Sequence, residues 1–144
     1  MKIAVLTQDL TKSIMNYDLV NHINSSSYNW YIFTQNINPH IVKPKCFVSN
    51  SFDLYNFNAA TLCLDLKSAE IVARTGRDKK VLYLYNLEWL YDVMFYIPVY
   101  ELMNKFTVVA RSDDHAEIIS NFLGGRDIKV AKDFKELEEC LITN

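Results

Sequence analysis

Residues 80–111, KVLYLYNLEWLYDVMFYIPVYELMNKFTVVAR, decide the fold of this chain. The stretch opens on an apolar run at residues 81–85, in which hydrophobic and polar residues do not alternate. Such a run is typical of a strand covered on both faces, as in the middle of a parallel sheet. A second apolar run, at residues 106–110, follows a segment with helical character. The stretch therefore predicts a unit of strand, helix and parallel strand.

The same alternation extends outward over the rest of the chain. Apolar runs predict five more strands, at residues 2–7, 30–34, 46–49, 60–64 and 127–131. Helices are predicted at residues 67–74, at 88–105 with a break near Pro98, and at 134–142. Strict alternation implies right-handed crossovers with helices on both faces of the sheet. We therefore predict an α/β fold, a three-layer α/β/α Rossmann-like domain with a mainly parallel sheet of about seven strands, in a single domain over residues 1–144.

Two further predicted helices carry apolar stripes that are expected to face inward. The stripe of the first helix consists of Ile14, Tyr17, Leu19, Val20 and Ile23. Asp9 or Thr11 is expected to cap this helix. The stripe of the helix after Ser112 consists of Ile118, Ile119, Phe122 and Leu123.

Composition and charge exclude several classes of protein. The formal net charge of −2 gives no whole-molecule attraction to nucleic acid or to acidic membranes. No apolar run approaches the roughly 18–20 residues of a membrane span, and no signal peptide precedes the first strand. Cys46, Cys63 and Cys140 lack the spacing of a zinc site and suit free thiols in a reducing compartment. We expect a cytoplasmic protein without membrane contact, nucleic-acid partner, metal or cofactor.

Polar residues follow the predicted strands at their carboxyl ends, where open α/β sheets usually bind ligands. These residues are Asp9, Asp65, Asn86, Glu88, Trp89, Arg111, Ser112, Asp114 and His115. A functional interpretation places them in one polar cleft, with Glu88 or His115 as proton acceptor and Trp89 as a stacking surface. An imidazolium is disfavoured at a helix N-terminus, so His115 would stay neutral and usable as a base.

A structural interpretation explains several of the same residues. Ser112 and Asp114 suit the capped first turn of a helix, and Arg111 can form a structural ion pair with Asp113 or Glu88. Trp89 follows a buried strand and can belong to the core. The sequence leaves both interpretations open.

Known catalytic and phosphate-binding motifs are absent. The first loop, residues 8–13, contains no glycine, whereas a dinucleotide-binding loop needs glycines so that its backbone can approach the pyrophosphate. The sequence has no P-loop and no Gly-x-Ser-x-Gly elbow. Phosphate binding by the first loop is therefore disfavoured, although Lys12 can still meet an anion.

Three segments resemble the N-terminal Rossmann-like half of GT-B glycosyltransferases. They are LYLYNLEWLY at residues 82–91, FTVVARSDDHAEIISNFLG at 106–124 and IKVAKDF at 128–134. In that family a strand ending in a small residue leads to a helix that begins near a Ser and carries a His, followed by a passage of the form fG…kv…ndF. The glycine-poor first loop and the acidic, Tyr- and Asn-rich composition also resemble small glycosyltransferase-like proteins of tailed bacteriophages.

The resemblance implies an acceptor-side half without a donor site. GT-B enzymes bind the nucleotide-sugar donor chiefly through a second Rossmann-like domain, often with two glutamates eight positions apart. Glu136, Glu138 and Glu139 do not have that spacing. In this interpretation Glu88 and His115 correspond to acceptor-side polar residues that bind a ligand, with or without turning it over.

Three functions are therefore expected as alternatives. The chain is a transferase that acts only with a partner chain or as a homodimer, a module that binds a sugar, nucleotide sugar or protein, or a phage accessory or structural protein that uses the fold as an interaction scaffold. The aromatic-rich segment at residues 89–100 should discriminate among them. Full burial of its rings would favour a scaffold, and partial exposure would favour an interface.

Overall fold

The computed structural model describes residues 2–10, 13–37, 43–77, 79–85, 87 and 96–143. Within these ranges the strands are β1 (Lys2–Leu10), β2 (Asn29–Ile37), β3 (Phe47–Asn50), β4 (Ala60–Cys63), β5 (Lys80–Leu84), β6 (Thr107–Ala110) and β7 (Lys129–Val130). The α-helices are α1 (Ile14–Ser25), α2 (Leu66–Ala73), α3 (Tyr96–Met103), α4 (Asp113–Phe122) and α5 (Phe134–Ile142). A 3₁₀ helix, Ser51–Asn56, precedes β4.

The strands form one seven-stranded sheet in the order β3-β2-β1-β4-β5-β6-β7. Every neighbouring pair is parallel, and in the centre Val5 of β1 pairs with Ile32 of β2 and with Leu62 of β4. The predicted parallel sheet is therefore confirmed, and all seven carboxyl ends lie at one edge. Chain order reverses between β1 and β4, because β2 and β3 are added on one side of β1 and the later strands on the other. This reversal is the topological switch point of a doubly wound sheet.

Helices cover both faces of the sheet, which confirms the three-layer prediction. One core cluster contains Ile3 and Val5 of β1 together with apolar residues of α1 and α5. The other contains Ala4 and Leu6 of the same strand together with residues of α2, α3, α4 and the 3₁₀ helix. Alternate residues of β1 are thus buried against different helix layers. This arrangement explains why the central strands read as unbroken apolar runs.

The stretch that predicted the fold forms β5, α3 and β6. Of the predicted helix at residues 88–105, only the part from Tyr96 onward lies within the described residues. Pro98 stands in the first turn of α3, where its missing N–H removes no helical hydrogen bond. In the aromatic-rich segment, Tyr100 is 41% exposed and packs edge-on against Phe122 of α4. Trp89, Tyr91 and Phe95 lie outside the described residues.

Two predictions about α1 are wrong. Its N-cap is Ser13, whose Oγ accepts a hydrogen bond from the Asn16 N–H at 3.1 Å, and not Asp9. The reason is that β1 continues through Leu10, so Asp9 belongs to the strand. Ile14 and Tyr17 were expected to face the core but are 75% and 53% exposed. Thr11, the other expected cap, lies outside the described residues.

The predicted stripe of α4 is wrong at one position. Ile118 is 47% exposed, whereas Ile119 is fully buried. Side chains of adjacent residues on an α-helix point about 100° apart. A narrow apolar stripe therefore does not bury both of them. The ends of α2 and α4 agree with the sequence, because Gly76 and Gly124 follow them with φ of +65° and +73°. Among the described helices, none combines the length and apolar character needed to cross a membrane.

Candidate functional site

A cleft of about 580 Å³ opens at the switch point, at the carboxyl ends of β1 and β4. We call it the switch-point cleft. The residues lining it include Gln8, Asp9, Ser13, Asp65, Lys67 and Tyr85. Two of the predicted site residues, Asp9 and Asp65, are therefore brought together, although 56 positions separate them in the sequence (65 − 9). The parallel pairing of Leu6 with Cys63 brings the ends of β1 and β4 together. Asp65 therefore lies beside Gln8, and both carboxylates line the cleft.

Asp65 has a structural role in this cleft. Its Oδ1 accepts the Ser68 N–H at 2.7 Å, which caps α2, and its Oδ2 accepts the Gln8 N–H at 2.8 Å. The Thr7 hydroxyl lies 3.5 Å from the same Oδ2. One carboxylate thus ties the end of β1 to the start of α2 and holds two walls of the cleft together. With both oxygens engaged, Asp65 is poorly suited to accept a proton from a ligand.

Asp9 is less constrained than Asp65. Its Oδ1 accepts a hydrogen bond from Asn36 Nδ2 at 2.7 Å, while the Asn16 side chain donates to its backbone carbonyl at 3.1 Å. Among the described residues no donor reaches Oδ2. The Asp9 side chain is half-buried, so this oxygen is the carboxylate atom of the cleft that remains available to a ligand.

A second cavity, of about 500 Å³, lies beside the first. It is bordered by α1, by the carboxyl ends of β5 and β6 and by the start of α5, and it contains Arg111, Lys132 and Lys135. We call it the basic cavity. The Arg111 guanidinium carbon stands 4.2 Å from the centroid of the Tyr85 ring, a cation–π contact. Tyr85 lines both cavities, so Arg111 is held at the boundary between them.

Tyr83 is a buried residue that lines the basic cavity next to Tyr85 and Arg111. Its hydroxyl donates to the Ala131 carbonyl at 2.9 Å, which ties β5 to the segment between β7 and α5. Burial raises the pKa of Tyr83 to about 12, against a smaller opposite effect from the Arg111 charge. The phenol therefore remains neutral and serves as a hydrogen-bond donor at ordinary pH.

The α4 residues of the predicted site line neither cavity. Ser112 is the N-cap of α4, and its Oγ accepts the His115 N–H at 3.2 Å, as the structural interpretation predicts. Asp114 is exposed in the first turn, where a negative charge is favourable. His115 is half-buried, and its buried Nδ1 has no hydrogen-bond partner among the described residues.

Three predicted site residues, Asn86, Glu88 and Trp89, lie outside the described residues. Their roles as ligand-binding, catalytic and stacking groups stay predictions. No cluster of three or more His, Cys, Asp or Glu side chains in the described part of the chain has the arrangement to hold a metal ion.

A buried carboxylate, Glu138, is among the polar groups that the sequence does not single out. Glu138 of α5 is 8% exposed, and its Oε2 accepts hydrogen bonds from Trp30 Nε1 at 2.6 Å and from Ser26 Oγ at 2.5 Å. His22, which lines the basic cavity, has its Nε2 3.1 Å from the same oxygen. A signal was present, because Glu138 falls one position after Leu137 in a stripe at 134, 137, 138 and 141. That spacing is the inward face of a helix.

Comparison with known proteins gave no match to a family model, to a curated protein or to a solved structure. The fold and the geometry of the two cavities are therefore the basis for assigning a function.

Proposed function

We propose that this chain is a glycosyltransferase-like binding domain that holds a hydroxyl-rich small molecule, a sugar or the sugar part of a nucleotide sugar, in the switch-point cleft. The observation that carries the proposal is the position of that cleft. Its volume of about 580 Å³ is in the range of small-molecule sites, and it opens where chain order reverses at the carboxyl edge of the sheet.

The chemistry of the lining supports a ligand rich in hydroxyl groups. Asp9 offers a charged acceptor oxygen, and a hydroxyl that donates to a carboxylate makes a stronger bond than one between neutral groups. Tyr85 adds an aromatic surface to the lining of the cleft. Two carboxylates at the mouth and a first loop without glycine disfavour a pyrophosphate at this position. The sugar, rather than the phosphates, is the part of the ligand that fits here.

Turnover is assigned to a partner and not to this domain alone. Asp65 is already engaged by two backbone N–H groups and lacks the freedom of a general base. The resemblance to an acceptor-side glycosyltransferase half supports the same division. A partner chain, or a second copy of this chain, would supply the donor-binding half.

Calorimetric titration with glucose and with UDP-glucose tests the proposal. We expect binding of at least one of them, and Asp9→Ala should weaken it about tenfold, the effect of losing one charge-assisted hydrogen bond of about 1.5 kcal/mol. Asp127→Ala is the matched control, because Asp127 is an exposed carboxylate before β7, at the opposite edge of the sheet. Hydrolysis of UDP-glucose by the isolated domain should be absent. The proposal is wrong if neither compound binds, or if Asp9→Ala binds as tightly as Asp127→Ala.

A further inference from the structure

The basic cavity differs from the switch-point cleft in its charge. Arg111, Lys132 and Lys135 line it, against the two carboxylates Asp18 and Asp133. The Asp133 Oδ1 accepts the Glu136 N–H at 2.9 Å and so caps α5, and the carboxylate keeps its charge. Three cations against two carboxylates leave the described lining one formal positive charge in a chain whose formal net charge is −2.

Arg111 is arranged so that its donors stay available. Its guanidinium carbon lies over the Tyr85 ring, 4.2 Å from the centroid, and a cation–π contact of this kind does not take up the hydrogen-bonding capacity of the N–H groups. No carboxylate or carbonyl of the described residues accepts a hydrogen bond from these N–H groups. A planar fork of N–H donors that is held in place, and that no carboxylate of the described residues pairs with, is suited to binding a phosphate with two parallel hydrogen bonds.

His22 gives the cavity a second oriented polar group. Its Nε2 lies 3.1 Å from Glu138 Oε2, an ion-pair distance although the angle is not that of a hydrogen bond, and its ring packs edge-on against Trp30 with centroids 5.8 Å apart. Glu138 is in turn fixed by the Trp30 indole and the Ser26 hydroxyl. With Nε2 next to Glu138, Nδ1 is the ring nitrogen left for a ligand.

The N-terminus of α5 does not carry this argument. Asp133 caps it, and Glu136 reaches back to accept the Lys132 N–H at 2.8 Å. Both carboxylates at this helix end thus accept N–H groups of the chain itself, and their negative charges lie where an anionic ligand would have to bind. The cations and the histidine, rather than the helix end, define the site.

We propose that the basic cavity binds the phosphate group of a small phosphorylated molecule, with Arg111 as the bidentate donor and Lys132, Lys135 and His22 around it. The cavity volume of about 500 Å³ exceeds what a phosphate alone fills, so an organic part the size of a sugar is accommodated with it. The proposal is independent of the function assigned to the switch-point cleft. Among the described lining residues, the two sites share Tyr85 alone.

Titration with inorganic phosphate and with glucose 6-phosphate at low ionic strength tests this site. Both should bind and compete with each other. Arg111→Lys keeps the charge but removes the fork, and it should weaken binding about fivefold or more. The double variant Lys132→Gln/Lys135→Gln changes two exposed side chains and should weaken binding by a similar factor.

Lys105→Gln is the matched control, since Lys105 is exposed in the turn before β6, at the far edge of the sheet, and binding should be unchanged. Asp9→Ala should also leave phosphate binding intact, which separates this site from the switch-point cleft. If Arg111→Lys loses its folded circular-dichroism spectrum, the double variant decides the result alone. The proposal is overturned if neither probe binds below about 10 mM, or if the double variant binds like Lys105→Gln.

Discussion

Single polar atoms inside this molecule bind partners that are far away in the sequence. The Tyr83 hydroxyl reaches the carbonyl of Ala131, and Glu138 accepts the indole N–H of Trp30. Both residues occur in segments whose patterns indicate only a buried strand and an amphipathic helix. The hydrophobic pattern of a segment shows that a side chain faces inward, but it does not show which hydrogen-bond donor or acceptor that side chain will contact in the core.

Tyr83→Phe should lower the free energy of unfolding near neutral pH by about 1 kcal/mol, because the Ala131 carbonyl loses its donor. The substitution should also change how the free energy of unfolding depends on pH in the alkaline range. Burial raises the pKa of Tyr83 from 10.0 to about 12, so between these pH values the unfolded chain ionises while the folded chain does not. In the wild type, stability therefore falls as the pH rises through this window. The variant should lack this part of the fall in urea titrations.

Tyr55→Phe is the control for this experiment, because Tyr55 is 48% exposed on the 3₁₀ helix. Absorbance titration of tyrosinate should lose its last transition, near pH 12, in Tyr83→Phe but not in Tyr55→Phe. Identical titration curves for the two variants would contradict the assignment.

At the scale of elements, short polar side chains set where helices begin. Four helices start after a residue whose side chain accepts the N–H three positions later, namely Ser13, Asp65, Ser112 and Asp133. Asp65 differs from the others because it also accepts the Gln8 N–H of β1. It therefore joins two elements, whereas Ser112 stabilises one helix end.

We expect Asp65→Ala to be more destabilising than Ser112→Ala. Loss of the Ser112 cap should lower the free energy of unfolding by about 1 kcal/mol. Loss of Asp65 removes a cap and also leaves the Gln8 N–H without its charged acceptor, for a total of about 2–3 kcal/mol. Urea unfolding of both variants measures the difference.

Asp65→Asn is the matched variant, because asparagine caps helices well but carries no charge. Its free energy of unfolding should lie between those of the wild type and Asp65→Ala. Equal losses for Asp65→Ala and Ser112→Ala would show that the bond to β1 contributes nothing.

At the scale of the whole molecule, the sheet places its centre out of reach of solvent. Cys63 lies in β4 between β1 and β5 and is fully buried, whereas Cys46 and Cys140 are partly exposed. Burial, and secondarily the Asp65 charge, raises the pKa of the Cys63 thiol well above its usual range. Its reactivity should therefore report on opening of the entire sheet.

In the double variant Cys46→Ser/Cys140→Ser, the remaining Cys63 should react with an aromatic disulfide reagent only in molecules that are globally unfolded. Urea below the unfolding midpoint should accelerate labelling in proportion to the unfolded population. The variant Cys63→Ala should keep the fast labelling of the other two thiols. Rapid labelling of Cys63 without denaturant would mean that β4 opens locally and that the centre of the sheet is not its most protected part.

The candidate site was predictable in its components but not in its grouping. The sequence pointed to Asp9, Asp65 and Arg111 because polar residues that follow buried strands collect at the carboxyl edge. The structure divides them between two cavities, with Asp9 and Asp65 in the switch-point cleft and Arg111 in the basic cavity. The contact between Glu138 and His22 at the basic cavity could not be predicted, because it depends on the packing of α5 beside α1.

The sequence by itself determined the class of fold, because unbroken apolar runs alternating with helical stripes bury only as parallel strands covered on both faces. It also determined helix ends such as Ser112 and Gly76, where capping and a positive φ are local properties of the chain. Only the tertiary structure decided that β1 lies next to β4, that Asp65 therefore binds the end of β1, and that Arg111 stacks on Tyr85. The physical reason is that periodicity specifies which face of an element is buried, whereas the neighbour it is buried against is set by pairing between segments distant in the chain.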